Sequence, residues 1–190
     1  MRIIAGKWKS RRLAPVRGRG VRPTTDRVRE AWMSILGHRI GDAAVADLFA
    51  GSGALGLETL SRGAAHVTFV ERSSRAIRVL ERNIRSLGAG RVTSVVRGDA
   101  LVHLQGLDPS RCDLALADPP YGMGHARRLV ALYARRPFAG ELWIEHRADE
   151  ALPRDIPVRQ RRYGDTVLTA VALRPGAQRR LTGRGKELVS

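Results

Sequence analysis

Residues 43–56 read AAVADLFAGSGALG, an apolar run carrying Asp47 that breaks into a glycine turn. Gly51-Ser52-Gly53-Ala54-Leu55-Gly56 fits G-x-G-x-x-G directly after a predicted strand and at the start of a predicted helix, the context in which that string has physical meaning. Glycines there let the backbone approach a ligand, and the helix N-terminus adds partial positive charge.

Working outward, short apolar runs alternate with helical patterns. The first helix runs to Arg62 and stops at Gly63. HVTFV (66–70) precedes a longer helix with Ala76, Ile77, Leu80, Ile84 and Leu87 on one face, ended by Gly88. RVTSVV (91–96), a short helical piece around 100–107, CDLALA (112–117), a helix at 125–136 and ELWIEH (141–146) follow. PVRQRRY and TVLTAVAL flank Gly164-Asp165, a hairpin signal. Strands alternating with helices predict an α/β fold, a parallel sheet with right-handed crossovers, and the hairpin adds an antiparallel edge. Upstream, Val28, Ala31, Trp32, Ile35 and Leu36 predict a helix capped by Thr24 or Thr25 and stopped by Gly37, with Arg27 and Arg29 on its basic face. Gly6, Pro15, Gly18, Gly20 and Pro23 break the start of the chain into an arm of short strands, a β-hairpin turning near Lys7–Ser10.

The chain has 190 residues, enough for one ordinary domain with a small appendage. No apolar run approaches the ~20 residues of a membrane span, and MRIIAGKWKSRR lacks the apolar core of a signal peptide. Cys112 is the single cysteine, and the histidines at 38, 66, 103, 125 and 146 have no ligand spacing, so no disulfide and no metal site is expected. Cys112 reads as a small buried hydrophobe, Trp32 and Trp143 as core, and His125 as a loop residue. The expectation is a reduced, cytoplasmic protein.

The formal net charge is +16, and it is segregated. Residues 1–29 hold ten bases and one acid, residues 174–190 five bases and one acid, and the 144 residues between them carry a net +3. A basic arm on a near-neutral body suits a polyanion, and nucleic acid is the expected partner. Arg2, Lys7, Lys9, Arg11 and Arg12 supply the arm's charge. Trp8 among them suits either stacking on a base or packing the arm onto the body.

Glu71 ends the second strand, 20 residues after Gly51, where an acid accepts both ribose hydroxyls of an adenosine. Asp99 follows the third strand at the same rim. A tight turn that binds nothing is the bland alternative. A nicotinamide dinucleotide is the sharper one, but Asp47 puts a carboxylate where an amine, not a pyrophosphate, is welcome, and 190 residues leave little room for a second nucleotide half. S-adenosylmethionine suits better, its ammonium facing Asp47 and its ribose Glu71.

Asp118-Pro119-Pro120-Tyr121 closes the fourth strand. Asp118 and Pro119 both precede a proline and are held extended. The Asp118 carboxylate and Pro119 carbonyl then form a rigid acceptor pair beside an aromatic face. An exocyclic amine of a base fits that pair, with Tyr121 stacked on the ring. An aryl amine is a poor nucleophile because its lone pair is delocalised; two acceptors holding its hydrogens turn that pair toward a sulfonium methyl. The contribution is positioning, worth ~7–11 kcal/mol in well-oriented cases. Asp118 also suits uptake of the released proton.

RIIAG (2–6), RPTTDRVRE (22–30), DLFAGSGALGLETLSRGA (47–64), VER (70–72), ADPPY (117–121) and YGDT (163–166) occur in one order, and in this the chain resembles the RsmD-type 16S rRNA guanine-N2 methyltransferases up to about residue 173. The resemblance implies a Rossmann-like class I methyltransferase with a seven-stranded sheet and an N-terminal extension. The expected division is a basic arm 1–24, a methyltransferase domain 25–174 and a flexible basic tail 175–190, the tail having no counterpart in the family. The implied substrate is one guanine of small-subunit rRNA, near the P site, in assembled or assembling 30S particles, acted on by a monomer. Asp47, Ala50, Gly51, Gly53, Glu71 and Asp99, with Phe49, Ser52, Arg72 and Ala100 beside them, would hold S-adenosylmethionine. Asp118, Pro119, Pro120 and Tyr121 would hold the guanine amine. Arg22, Thr25 and Arg27 of the RPTTDR segment would line the site and meet RNA. The fifth strand departs from the family pattern: in LWIEHRADE, Glu145 is present but Arg147 stands where a second acid is common. Two other readings stand beside this one: an amino-methyltransferase acting on adenine N6 or a protein glutamine, and a non-catalytic RNA-binding assembly factor.

Overall fold

The computed structural model describes residues 1–16, 26–106, 108 and 111–172. After α1 (Asp26–Leu36) come β1 (Ala44–Leu48), α2 (Ala54–Ser61), β2 (His66–Glu71), α3 (Ser74–Leu87), β3 (Thr93–Arg97) and α4 (Ala100–Leu104). Then follow β4 (Leu114–Ala117), α5 (His125–Arg135), β5 (Glu141–Arg147), β6 (Arg159–Tyr163) and β7 (Thr166–Ala172). Local chemistry sets the ends of α3: Ser73 accepts from the Ala76 amide, and Gly88 takes φ 66° just past the last turn.

The seven strands form one sheet in the order β3-β2-β1-β4-β5-β7-β6. β1 to β5 pair in parallel, and β7 runs antiparallel to both β5 and β6. Period-two alternation divides the core between the faces. Val45, Phe69, Leu116, Trp143 and Leu168 pack with α1, α2, α3 and the N-terminal segment. Ala46, Val70, Ala115, Ile144 and Val171 pack with α4 and α5. Trp32, Trp143 and Cys112 are buried, as expected. Neighbours on either side of β1 connect in opposite directions, so the gap between β1 and β4 is the switch point at which open α/β sheets bind ligands.

The hairpin closes the sheet as its antiparallel edge, as expected, and burial sets which of its strands lies outermost. β7 is buried along most of its length and inserts beside β5, leaving the exposed RQRRY of β6 outside. Burial selects the apolar strand for the inner place, and charge protects the edge. Arg29 is not on an exposed basic face: it is 1% exposed, pairs with Asp26 and the buried Glu58, and donates to the Arg2 carbonyl.

The N-terminal chain reverses between Ile3 and Arg11, with Ile3 N donating to Arg11 O at 3.0 Å and Ser10 N to Ile3 O at 2.9 Å. Its pairing is a single Arg2–Arg12 bridge rather than two strands. Neighbouring amides go elsewhere: those of Ile4 and Ala5 donate to Glu58, and that of Lys7 to the Ser61 carbonyl. Ile3 and Leu13 are buried in the main core. Asn83 of α3 grips Ala14 through both its amide and its carbonyl. Segment 17–25 and the tail from 173 lie outside the described residues. Among the described residues no helix is long and apolar enough to cross a membrane.

Candidate functional site

The glycine turn is built from left-handed backbone. Phe49, Gly51 and Gly53 have φ of 62°, 54° and 79°, which fold the chain sharply from β1 into α2. The Ala50 amide donates to the Val70 carbonyl at 3.1 Å, tying the turn to β2. Asp47 is buried beneath it, and its Oδ2 accepts from the Gly56 amide at 2.9 Å. A Cβ at Gly56 would lie 2.5 Å from the Phe69 ring and 2.9 Å from that carboxylate. The third glycine therefore serves the closeness of helix and sheet, not the ligand. Burial pushes the Asp47 carboxyl well above its usual range, and the carboxylates of Asp118 and Glu71 push it further.

Glu71 stands at the end of β2 with both oxygens oriented by backbone: Oε2 accepts from Gly51 N at 2.9 Å and Oε1 from Ser73 N at 2.7 Å. A carboxylate has about four acceptor sites, so two hydrogen bonds leave capacity for hydroxyls. Asp99 caps α4, accepting from Leu101 N and Val102 N.

On the other side, Asp118-Pro119-Pro120-Tyr121 follows β4. The Tyr121 hydroxyl donates to Glu145 Oε1 of β5 at 2.8 Å, and Thr166 at the start of β7 lines the same cavity. Burial raises the Tyr121 phenol, as do the nearby Glu145 and Asp118 carboxylates, so it stays protonated and able to donate.

The two sides enclose one cavity of about 810 Å³. Asp47, Phe49, Ala50, Gly51, Ser52, Glu71, Arg72, Ala100 and the whole of Asp118–Tyr121 line it, as does Arg27 of α1. Gly53 and Asp99 do not; one starts α2 and the other caps α4. Glu145 and the β6–β7 tip, Tyr163 to Thr166, also line the cavity, and sequence reasoning gave neither a role there. The available signal was an acid inside the apolar run LWIEH, level with the end of the neighbouring strand. Arg147 points away, pairing with Asp149 on the surface at 3.0 Å. His125 is not a loop residue; it begins α5, is buried, and its ring lies 5.0 Å from that of Phe49. Burial lowers its pKa, aided by Arg128 and Arg72.

Of the residues expected to meet RNA, Arg2, Lys7, Lys9, Arg11 and Arg12 are exposed on the docked N-terminal segment. Arg11 donates to the Ser86 carbonyl of α3. Trp8 is half-buried and packs against the main core, with Lys7 Nζ 5.6 Å from its ring centre. Arg22 and Thr25 lie outside the described residues.

Residues 1–172 match the family model described as Conserved hypothetical protein 95, the RsmD family. The chain belongs to this family. This RsmD-type chain is 34% identical over 177 residues to Ribosomal RNA small subunit methyltransferase D of Escherichia coli (strain K12), covering 92% of this chain and 88% of that one. The solved structure of yhhF from Escherichia coli is similar with a TM-score of 0.76 at 32% identity, over 90% of this chain and 96% of that one. An RNA methyltransferase from Salinibacter ruber, solved with S-adenosyl-L-homocysteine, shares the fold alone: TM-score 0.61, 13% identity, 80% of this chain and 93% of that one. The architecture of the RsmD-type chain is thus the class I methyltransferase fold, and the family match runs through the end of β7.

Proposed function

We propose that the protein transfers a methyl group from S-adenosylmethionine to the exocyclic N2 amine of a guanine in small-subunit rRNA, within assembled or assembling 30S particles. The observation that carries this reading is one cavity holding both a carboxylate-lined glycine turn and the Asp-Pro-Pro-Tyr acceptor turn. The family membership and the printed name of the Escherichia coli relative support it.

The residues present fit S-adenosylmethionine. A volume of about 810 Å³ lies within the range of small-molecule sites. Asp47 is a buried carboxylate whose charge is disfavoured until a cation arrives, which suits an ammonium. Glu71, already aimed by two backbone amides, suits a ribose diol, with Phe49, Ala50, Gly51, Ser52, Arg72 and Ala100 around it. When bound, the cofactor supplies an electrophilic methyl on a sulfonium sulfur.

The chain's own residues then handle the amine. Asp118 and the Pro119 carbonyl accept its two hydrogens and fix the direction of its lone pair, while Tyr121 covers the base ring. Glu145 holds the Tyr121 hydroxyl and so orients that ring. One amine proton leaves through the Asp118 carboxylate to water. The basic N-terminal segment, with Arg2, Lys7, Lys9, Arg11 and Arg12 exposed, and Arg27 at the cavity take the phosphates.

The test is methyl transfer from labelled S-adenosylmethionine to unmodified small subunits, naked rRNA and DNA, followed by nucleoside analysis. N2-methylguanosine from small subunits is the expected product. Methyladenine in DNA would overturn the substrate and leave the fold and the acceptor turn standing.

A further inference from the structure

Glu145 is a buried carboxylate, 3% exposed, at the acceptor side of the cavity, and methyl transfer as described uses it only through Tyr121. We propose that Glu145 also reads the base, accepting the N1–H of guanine and thereby selecting guanine over adenine. This rests on the guanine-N2 reading above.

The argument begins with position. β4 and β5 are adjacent and parallel, with Ala117 level with Ile144, so Glu145 follows the register into the turn that carries Asp118. Its Oε1 takes the Tyr121 hydroxyl at 2.8 Å, which places the carboxylate beside the ring on which a base stacks. An ionised carboxylate is acceptor-only and has about four acceptor sites, so holding the tyrosine does not preclude accepting from a base as well.

The chemistry of the purine edges then decides. Guanine presents N1–H and the N2 amine side by side, an unbroken row of donors. Asp118 and the Pro119 carbonyl serve the amine; the neighbouring donor needs an acceptor at the next place along, and Glu145 is a carboxylate lining this side on the strand next to the one that leads into Asp118. Adenine presents an N1 lone pair beside its amine. A carboxylate facing that lone pair is repelled and leaves two acceptors buried without a hydrogen between them. One residue therefore welcomes guanine and penalises adenine, the combination from which specificity arises.

The test crosses the enzyme with the base. Small subunits are reconstituted with rRNA carrying either guanine or 2-aminopurine at the methylated position; 2-aminopurine keeps the N2 amine and lacks N1–H. Single-turnover methyl transfer is measured for the wild type, Glu145→Ala, Glu145→Gln and Tyr121→Phe, with S-adenosylmethionine affinity as a check on folding. The wild type is expected to prefer guanine by about 10- to 100-fold, the size of a charge-assisted hydrogen bond. Glu145→Ala loses that preference, Glu145→Gln keeps part of it through its amide oxygen, and Tyr121→Phe keeps it. A preference undiminished in Glu145→Ala, or one lost equally in Tyr121→Phe, overturns the proposal, the latter because Glu145 would then act only by holding the tyrosine. Failure of the wild type to methylate guanine N2 is a different result, and it overturns the functional reading itself.

Discussion

The two sides of the cavity are built in different ways. On the glycine-turn side, side chains are aimed by backbone amides: Asp47 by one nine residues on, Glu71 by amides 20 residues before and two after. On the acceptor side the rigid element is local, the two prolines, but its partner is not. Tyr121 is held by Glu145, 24 residues away on another strand. Backbone-aimed carboxylates tolerate little change in the turn and much change elsewhere. The side chain to side chain contact depends on β4 and β5 staying in register.

The largest expected effect breaks the acceptor side alone. Asp118→Ala should lower single-turnover methyl transfer by about 100- to 1000-fold, the cost of losing one preorganised polar contact to a reacting group. S-adenosylmethionine affinity, measured by calorimetry, should change little. Undiminished turnover would sink the role given to the turn.

On the glycine-turn side, the sharpest change is Gly56→Ala. Its new Cβ meets Phe69, Val67 and the Asp47 carboxylate, so helix and strand must separate. A loss of about 2 kcal/mol in denaturant unfolding is expected for such overpacking, together with weaker cofactor binding. A variant of wild-type stability would show that α2 is not tightly set against β1 and β2.

Asp47 gives a pH signature. Its folded-state pKa is raised, chiefly by burial, so its stability contribution is fully present below the ordinary carboxylate pKa of about 3.9. That contribution is lost as pH rises through the folded value. Melting of the ligand-free protein across this window should show the decline in the wild type and not in Asp47→Asn. The cofactor needs the opposite: its ammonium favours the charged carboxylate, so affinity should rise with pH over the same window, and Asp47→Asn should bind about tenfold more weakly. A pH-independent affinity in the wild type would remove Asp47 from the ammonium site.

The smallest effect lies on neither side. Replacing Lys7, Lys9 and Arg12 together should leave folding and cofactor affinity intact, since all three are exposed. The slope of log affinity for small subunits against log salt should become shallower by about 2, from a coefficient near 0.7 per phosphate. An unchanged slope would mean that the RNA lies elsewhere.

Much of this was legible because the signals are local. Strand and helix periods and the capping glycines 63 and 88 placed the elements to within a few residues. Asp47, Gly51 and Glu71 were found because one strand–turn–helix–strand unit contains them all. The less legible parts have one cause, contacts between residues far apart in sequence. Arg29 looked like part of a basic face because its partner, Glu58, lies on another helix. Trp8 leaves open whether the first 14 residues pack onto the body, because Glu58, Ser61 and Asn83, which bind their backbone, give no sign of it in the string.

The sequence by itself determined the order of elements, the parallel sheet, the glycine turn with its acids and the stiff Asp-Pro-Pro-Tyr corner, because each follows from steric and hydrogen-bonding rules acting over a few residues. Only the tertiary structure decided that β7 inserts between β5 and β6, that Glu145 meets Tyr121, and that the basic N-terminus is fastened to α2 and α3. Those choices are made by burial: the apolar strand goes inside, and buried carboxylates collect the donors that folding brings within reach, wherever in the chain those donors begin.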